Sequence, residues 1–167
     1  MKESDIRKIV DSMLIIVDTR EKKNQHIIDY LKENKIDYLI SKLDTGDYTF
    51  SLPRYRSLGL DHKFLVERKN SLDEIAGNFF QNRDRFVREF ERLENQKMHI
   101  VIEQATWKKL LAGTYRSKAT PNSFMASLLT FNIRYNCPVW FTQPANTGEV
   151  VYNILKYELI EHLKGVE

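Results

Sequence analysis

Five apolar residues, Met13-Leu14-Ile15-Ile16-Val17, run without a break into Asp18-Thr19-Arg20-Glu21, and this junction restricts the fold more than any other stretch. A short, largely β-branched run with no polar alternation reads as a strand covered on both faces, ending in a polar cluster at its carboxyl end. Such a strand needs helices above and below it. The rest of the chain supplies them. In residues 24–34, Ile27, Ile28 and Leu31 recur at helical spacing and Asn34 is the stop. Residues 36–43 alternate weakly as a second strand. Asp44-Thr45-Gly46-Asp47 is turn chemistry; residues 48–52 and, after a Pro/Arg/Gly loop, 63–69 predict an antiparallel hairpin.

From Ser71 the period becomes helical, with Leu72, Ile75, Ala76, Phe79, Phe86, Val87, Phe90 and Leu93 in one long apolar stripe, and Ser71 with Glu74 resembling a capping box. A strand over 98–103, a helix over 105–112, a basic connection over 113–121, a helix over 124–135, an extended 138–142 and a helix over 150–163 follow. This order predicts an α/β or α+β layer fold with a central mixed β-sheet flanked by α-helices. With 167 residues there is room for one domain, 1–167, its core at about 14–163.

One cysteine, Cys137, allows no internal disulfide, which points to an intracellular, cytoplasmic setting. The longest apolar run is far below the roughly 20 residues of a membrane span, and the charged start lacks a signal-peptide core, so no membrane partner is expected. His26, His62, His99 and His162 show no ligand spacing, which argues against zinc. The net charge of +3 is uninformative as a total but is unevenly placed. Between Glu103 and Glu149 there is no acid, whereas Lys108, Lys109, Arg116, Lys118 and Arg134 are basic, leaving −2 for the remainder. That segment is a candidate phosphate-contact surface.

Three charged clusters sit at strand ends or turns: Asp18/Arg20/Glu21, Asp47, and Glu67-Arg68-Lys69 with Asp73 following. Hard divalent cations favour carboxylate oxygens and usually bind through one or two of them plus substrate phosphate, a task that suits Asp47 and Glu67. Two apart on a strand, Glu67 and Lys69 share a face, which sets an ammonium beside a metal-binding carboxylate. Such a lysine holds or activates an attacking water while the metal stabilises charge on phosphate.

An acid on one hairpin arm and Glu-x-Lys on the other resembles the restriction-endonuclease-like superfamily. The sequence is more closely similar to the nuclease domain of the XPF/Hef (ERCC-type) family, whose motif is Gly-Asp, a variable gap, then Glu-Arg-Lys-x-x-x-Asp. This chain has Gly46-Asp47, nineteen residues, then Glu67-Arg68-Lys69-Asn70-Ser71-Leu72-Asp73, and Val17-Asp18-Thr19-Arg20-Glu21 looks like the first-strand motif. The resemblance, over roughly residues 14–163, implies a restriction-endonuclease-like fold and metal-dependent endonucleolytic hydrolysis of branched or structured DNA: flaps, forks or junctions. It implies Mg²⁺, with Mn²⁺ as a substitute, at Asp47 and Glu67 with Asp18 beside them, and Lys69 serving the water. Asp18, Arg20, Arg68 and Asp73 would support the site.

By the same resemblance Gln81 and Arg83 join the DNA contacts, with Lys108, Lys109, Tyr115, Arg116 and Lys118 from the basic segment. The other charges of the long helix, Arg85, Arg88 and Arg92 among Asp84, Glu89, Glu91 and Glu94, read as a solvated ion-pair face. Family members often append helix-hairpin-helix modules, for which 167 residues leave no room; a homodimer or a separate DNA-binding partner would then fill that role. A Holliday-junction resolvase or restriction-type nuclease with the same core, and a non-catalytic DNA-binding subunit, are the alternatives.

Overall fold

The computed structural model describes residues 1–93 and 95–165, so Glu94 of the charged helix face lies outside the described residues. In chain order the elements are α1 (Glu3–Val10), β1 (Leu14–Asp18), α2 (Gln25–Glu33), β2 (Tyr38–Ser41), β3 (Tyr48–Ser51), β4 (Phe64–Lys69), α3 (Leu72–Phe80), α4 (Arg83–Glu91), β5 (Lys97–Glu103), α5 (Trp107–Leu111), α6 (Pro121–Tyr135), β6 (Val139–Thr142) and α7 (Pro144–Lys164). The strands form one sheet in the order β2-β1-β3-β4-β5-β6. Strand β3 is antiparallel to β1 and β4, while β1–β2, β4–β5 and β5–β6 are parallel. The sheet is mixed and covered by helices on both faces, the α/β arrangement that the sequence predicts.

Alternation along the strands divides the core in two. Phe64, Val66 and Val101 pack with α1, α2 and α7 on one face, and Leu65, Ile100 and Ile102 with α3, α4, α5 and α6 on the other. The same period carries on into the charged end of β4, so Arg68 belongs to the first face and Glu67 and Lys69 to the second. On the second face Phe79, Phe86, Phe90 and Phe131 form a ring cluster with centroids 4.8–5.7 Å apart in the pairs Phe79–Phe86, Phe79–Phe131, Phe86–Phe90, Phe86–Phe131 and Phe90–Phe131. Each such pair adds about 0.5–1.5 kcal/mol beyond its area burial.

Three differences from the sequence reading have physical causes. The stripe from Leu72 to Leu93 is two helices: Gln81 and Asn82 both donate their backbone N–H to Gly77 O at 3.0 Å, closing α3 before α4 begins. No apolar residue lies between Phe80 and Phe86 to bridge the break. Helix α1 is unanticipated, because Ile6, Ile9 and Val10 are its only buried residues in a charged stretch. Helix α7 starts at Pro144, where buried Thr147 and Gly148 give no hydrophobic signal.

Gly148 permits α7 to lie against α2, since a Cβ there would stand 2.5 Å from Tyr30 Cβ. Tyr30 cannot yield near its own backbone. Gly148→Ala should therefore cost about 1–3 kcal/mol, seen as a lower urea midpoint at an unchanged m-value.

Candidate active site

Asp18 ends β1, Asp47 precedes β3, and Glu67-Arg68-Lys69 end β4, so strand direction brings all of them to one end of the sheet. β2 and β6 are the edges, and the cluster lies over the interior strands β1, β3 and β4. Gly46 makes the turn with φ +76°, a conformation that side chains with a Cβ disfavour. Asp47 is then stitched on both sides: its N–H donates to Val66 O at 2.9 Å and its carbonyl accepts from Asp18 N at 2.8 Å. Asp47 Oδ2 accepts from the backbone N–H of Arg68 at 2.8 Å.

Lys69 Nζ donates to Glu67 Oε1 at 2.6 Å and lies 4.0 Å from Glu74 Oε1. The two side chains are 10% and 17% exposed, so this pair is shielded from water. Burial, reinforced by the charge of Glu67, pushes the Asp47 carboxyl well above the usual carboxylate range. Burial works against the charge on Lys69, but Glu67, Asp47 and Glu74 outweigh it and hold its pKa above the ordinary value. Lys69 is thus a charged hydrogen-bond donor. Asp47, Glu67 and Lys69 line a cleft of about 420 Å³ whose remaining wall includes Arg20, Asn78, Asn82, Arg85, Glu89 and Arg92.

Asp18 is not free to bind a metal. Its Oδ1 accepts from Arg20 N at 2.6 Å and Arg20 Nε at 3.0 Å, and its Oδ2 from Arg20 Nη2 at 2.8 Å and Leu43 N at 2.9 Å. Four donors match the acceptor capacity of a carboxylate. Its position is that of a clamp joining the end of β1 to the turn after β2. The Arg20 hydrogen bond holds its pKa down at about 2 against the opposing cost of burial.

A depressed carboxyl stabilises the fold above its ordinary titration range, and this contribution fades as pH falls from about 4 toward 2. Arg20 is 62% exposed, so solvent screening limits the contribution to at most about 2 kcal/mol. Asp18→Asn should lower the melting temperature at pH 7 and converge with the parent near pH 2, as followed by circular dichroism melts.

Arg68 faces away from the cleft. Its Nη1 contacts Glu21 Oε1 at 3.0 Å and its Nη2 donates to Glu103 Oε2 at 2.6 Å, while Glu103 Oε1 lies 2.6 Å from His26 Nε2. Burial opposes the charge on Glu103, but hydrogen bonds from Arg68, Thr147 and His26 bring its pKa below the ordinary value. Arg68 serves the site through its backbone N–H on Asp47; its side chain anchors β4 to β5 and to the connection between β1 and α2. Glu103 and His26 escaped the sequence reading, although a lone acid closing the apolar strand Ile100-Val101-Ile102 was the available signal.

The expected DNA contacts divide. Arg83 lies over the Phe131 ring at 5.6 Å and exposed Gln81 caps α3, and neither lines the cleft. Asn78, Asn82, Arg85, Glu89 and Arg92 do, at spacings of four, three, four and three residues, a polar stripe opposite the phenylalanines. The default of a solvated face hid it. Tyr115 is turned inward, its ring 5.1 Å from Phe124 and its hydroxyl donating to Ala119 O at 2.9 Å. Lys108, Lys109, Arg116 and Lys118 are exposed. Asp73 bonds the loop that carries Arg116 and does not line the cleft.

Among the described residues no group of three or more His, Cys, Asp or Glu side chains forms a metal cage. The donor chemistry nonetheless fits a divalent cation completed by substrate oxygens. Two carboxylates, Asp47 and Glu67, share the cleft, and their mutual repulsion helps raise the Asp47 pKa. Asp47 Oδ1 and Glu67 Oε2 have no hydrogen-bond donor among the described residues.

The ERCC4 domain model matches residues 17–154. Among solved structures, XPF from Aeropyrum pernix aligns with a TM-score of 0.65 at 20% identity, covering 87% of this chain and 61% of that one. XPF from Aeropyrum pernix in complex with DNA aligns with the same TM-score and identity, covering 87% and 64%. The chain therefore spans less than two thirds of those chains. A comparison with curated protein sequences finds no match. At 20% identity the structures speak for the fold, which agrees with the strand order and layers described above. The family match extends from the end of β1 into α7 and takes in Asp18, Asp47, Glu67, Lys69 and Asp73, and by it the chain belongs to the ERCC4 domain family.

Proposed function

We propose that this protein is a Mg²⁺-dependent DNA endonuclease acting on branched or structured DNA, with Mn²⁺ as a substitute metal. One observation carries the reading: Asp47, Glu67 and the Lys69 ammonium share a single cleft whose wall includes Arg20, Arg85 and Arg92. Two carboxylates and three guanidinium groups in one cleft suit a phosphodiester approaching with a divalent cation. The ERCC4 domain match and the XPF structure in complex with DNA support DNA as the polymer.

A cation held by Asp47 and Glu67 would supply Lewis-acid stabilisation of the phosphoryl oxygens and a lowered pKa for the attacking water. Asp47 is fixed for this by the Arg68 N–H, which leaves its Oδ1 for ligation. Glu67 holds the Lys69 ammonium at 2.6 Å, where Lys69 donates to the incoming water and to the phosphate as negative charge builds. Arg20, Arg85 and Arg92 neutralise flanking phosphates and set the strand's register. Water oxygen bonds to phosphorus, the P–O3′ bond breaks, and the products carry a 5′-phosphate and a 3′-hydroxyl.

The test is incubation with end-labelled flap, fork, four-way-junction and linear duplex DNA, each in Mg²⁺ and in EDTA. Cutting of the branched substrates in Mg²⁺ alone is expected. Equal cutting of linear duplex would favour a restriction-type nuclease, symmetric cutting of the four-way junction alone a resolvase, and binding with no cutting a non-catalytic subunit.

A further inference from the structure

The final acid of Glu-Arg-Lys-x-x-x-Asp does not line the cleft with Glu67 and Lys69. Asp73 lies in the first turn of α3, and its Oδ1 accepts the backbone N–H groups of Arg116 at 2.6 Å and Ser117 at 3.2 Å. Its Oδ2 lies 3.3 Å from Arg116 Nε. Arg116 and Ser117 belong to the connection between α5 and α6. That connection is otherwise closed on itself: Tyr115 plugs into Phe124 and bonds Ala119 O, Ala119 N donates to Ser117 Oγ at 3.3 Å, and Thr120 caps α6.

The loop's outward groups are cations. The Arg116 side chain is 90% exposed and Lys118 is exposed, within a segment that has no acid from Gln104 to Gly148. A second tie lies nearby: Lys109 Nζ donates to Gln104 O at 2.8 Å, and the Gln104 amide donates to Asn70 O at 3.2 Å, the residue after Lys69. The entry to α5 is thus fastened to Asn70 and the α5–α6 connection to Asp73, both in the chain that follows the lysine of the cleft. The Asp73–Arg116 side-chain pair is solvent-exposed and worth little by itself. Ordering comes from the two charge-assisted bonds to backbone amides.

We propose that Asp73 is a positioning residue for DNA binding: it locks the α5–α6 loop so that Arg116 and Lys118 grip a DNA backbone beside the cleft. The proposal rests on the endonuclease reading for its substrate and gives this motif acid a role outside the reaction centre. Its carboxylate acts by orienting a loop whose cations meet phosphates, and no reacting atom touches it. Loss of the tether should weaken binding without slowing the chemical step once DNA is bound.

The test pairs flap-DNA affinity, measured by fluorescence anisotropy in EDTA, with steady-state cleavage in Mg²⁺. Asp73→Ala should raise Kd and KM about 5- to 10-fold and keep kcat within about twofold. Asp73→Asn retains an acceptor for both amides and should stay within about threefold of the parent in both assays. Ser117→Pro deletes one donor from the loop side with Asp73 intact, and should raise Kd and KM by about 3-fold or more. A kcat more than about tenfold below the parent in Asp73→Ala and in Asp73→Asn alike, with Kd unchanged, would overturn the proposal, as would parental affinity in Asp73→Ala or in Ser117→Pro. Should the parent cut no DNA, the endonuclease reading fails, and the anisotropy series still decides the tether.

Discussion

Asp47→Asn is expected to abolish cleavage and to stabilise the metal-free protein at once. The buried carboxyl stands beside Glu67 and is pushed well above its ordinary pKa, so at neutral pH its ionisation costs folding free energy. Asparagine keeps an acceptor for the Arg68 N–H and removes the like-charge repulsion. A gain of about 1 kcal/mol corresponds to a melting temperature raised by roughly 2–4 °C. Single-turnover cleavage should fall by about 10³-fold or more, since one of two cation-holding carboxylates is gone. Differential scanning calorimetry in EDTA checks the first half and a labelled flap substrate the second. A drop in stability would mean that Asp47 is structural.

Glu103→Ala should have the largest effect on stability. Glu103 is 1% exposed and receives Arg68 and His26, so its removal leaves the buried Arg68 guanidinium with Glu21 alone among its carboxylate partners. Breaking one side of a buried pair typically costs about 3–5 kcal/mol, or roughly 10 °C in melting temperature for a domain of this size. Adding Arg68→Met removes the stranded charge and should recover part of the loss, a coupling that a double-mutant cycle in urea measures directly. Additive losses would show that Arg68 does not depend on Glu103.

Strand β1 is legible as an unbroken apolar run, the hairpin and the stripe of phenylalanines as plain periods, and the order of the acidic motifs announces the neighbourhood of Asp47, Glu67 and Lys69. Less legible was how each polar side chain is used. Asp18 and Asp47 both look like exposed acids at strand ends, yet four donors, including Leu43 N from a distant turn, occupy Asp18 alone. Period two on β4 already put Arg68 on the face opposite Glu67, but its partners Glu21 and Glu103 come from other parts of the chain. Arg85 and Arg92 were hidden by surrounding charges, since an ion-pair face and a cleft wall have the same local composition. Which one forms is decided by the break at Gln81-Asn82 that turns α4.

The most direct measurement is the single-turnover rate on a labelled flap substrate as Mg²⁺ is titrated from an EDTA baseline, for the parent and Asp47→Asn side by side. The parent should be silent in EDTA and rise to a plateau, while Asp47→Asn stays near the baseline throughout. A parent rate indifferent to Mg²⁺, or an Asp47→Asn curve that overlays the parent, would contradict a cation-assisted cleft built on Asp47 and Glu67.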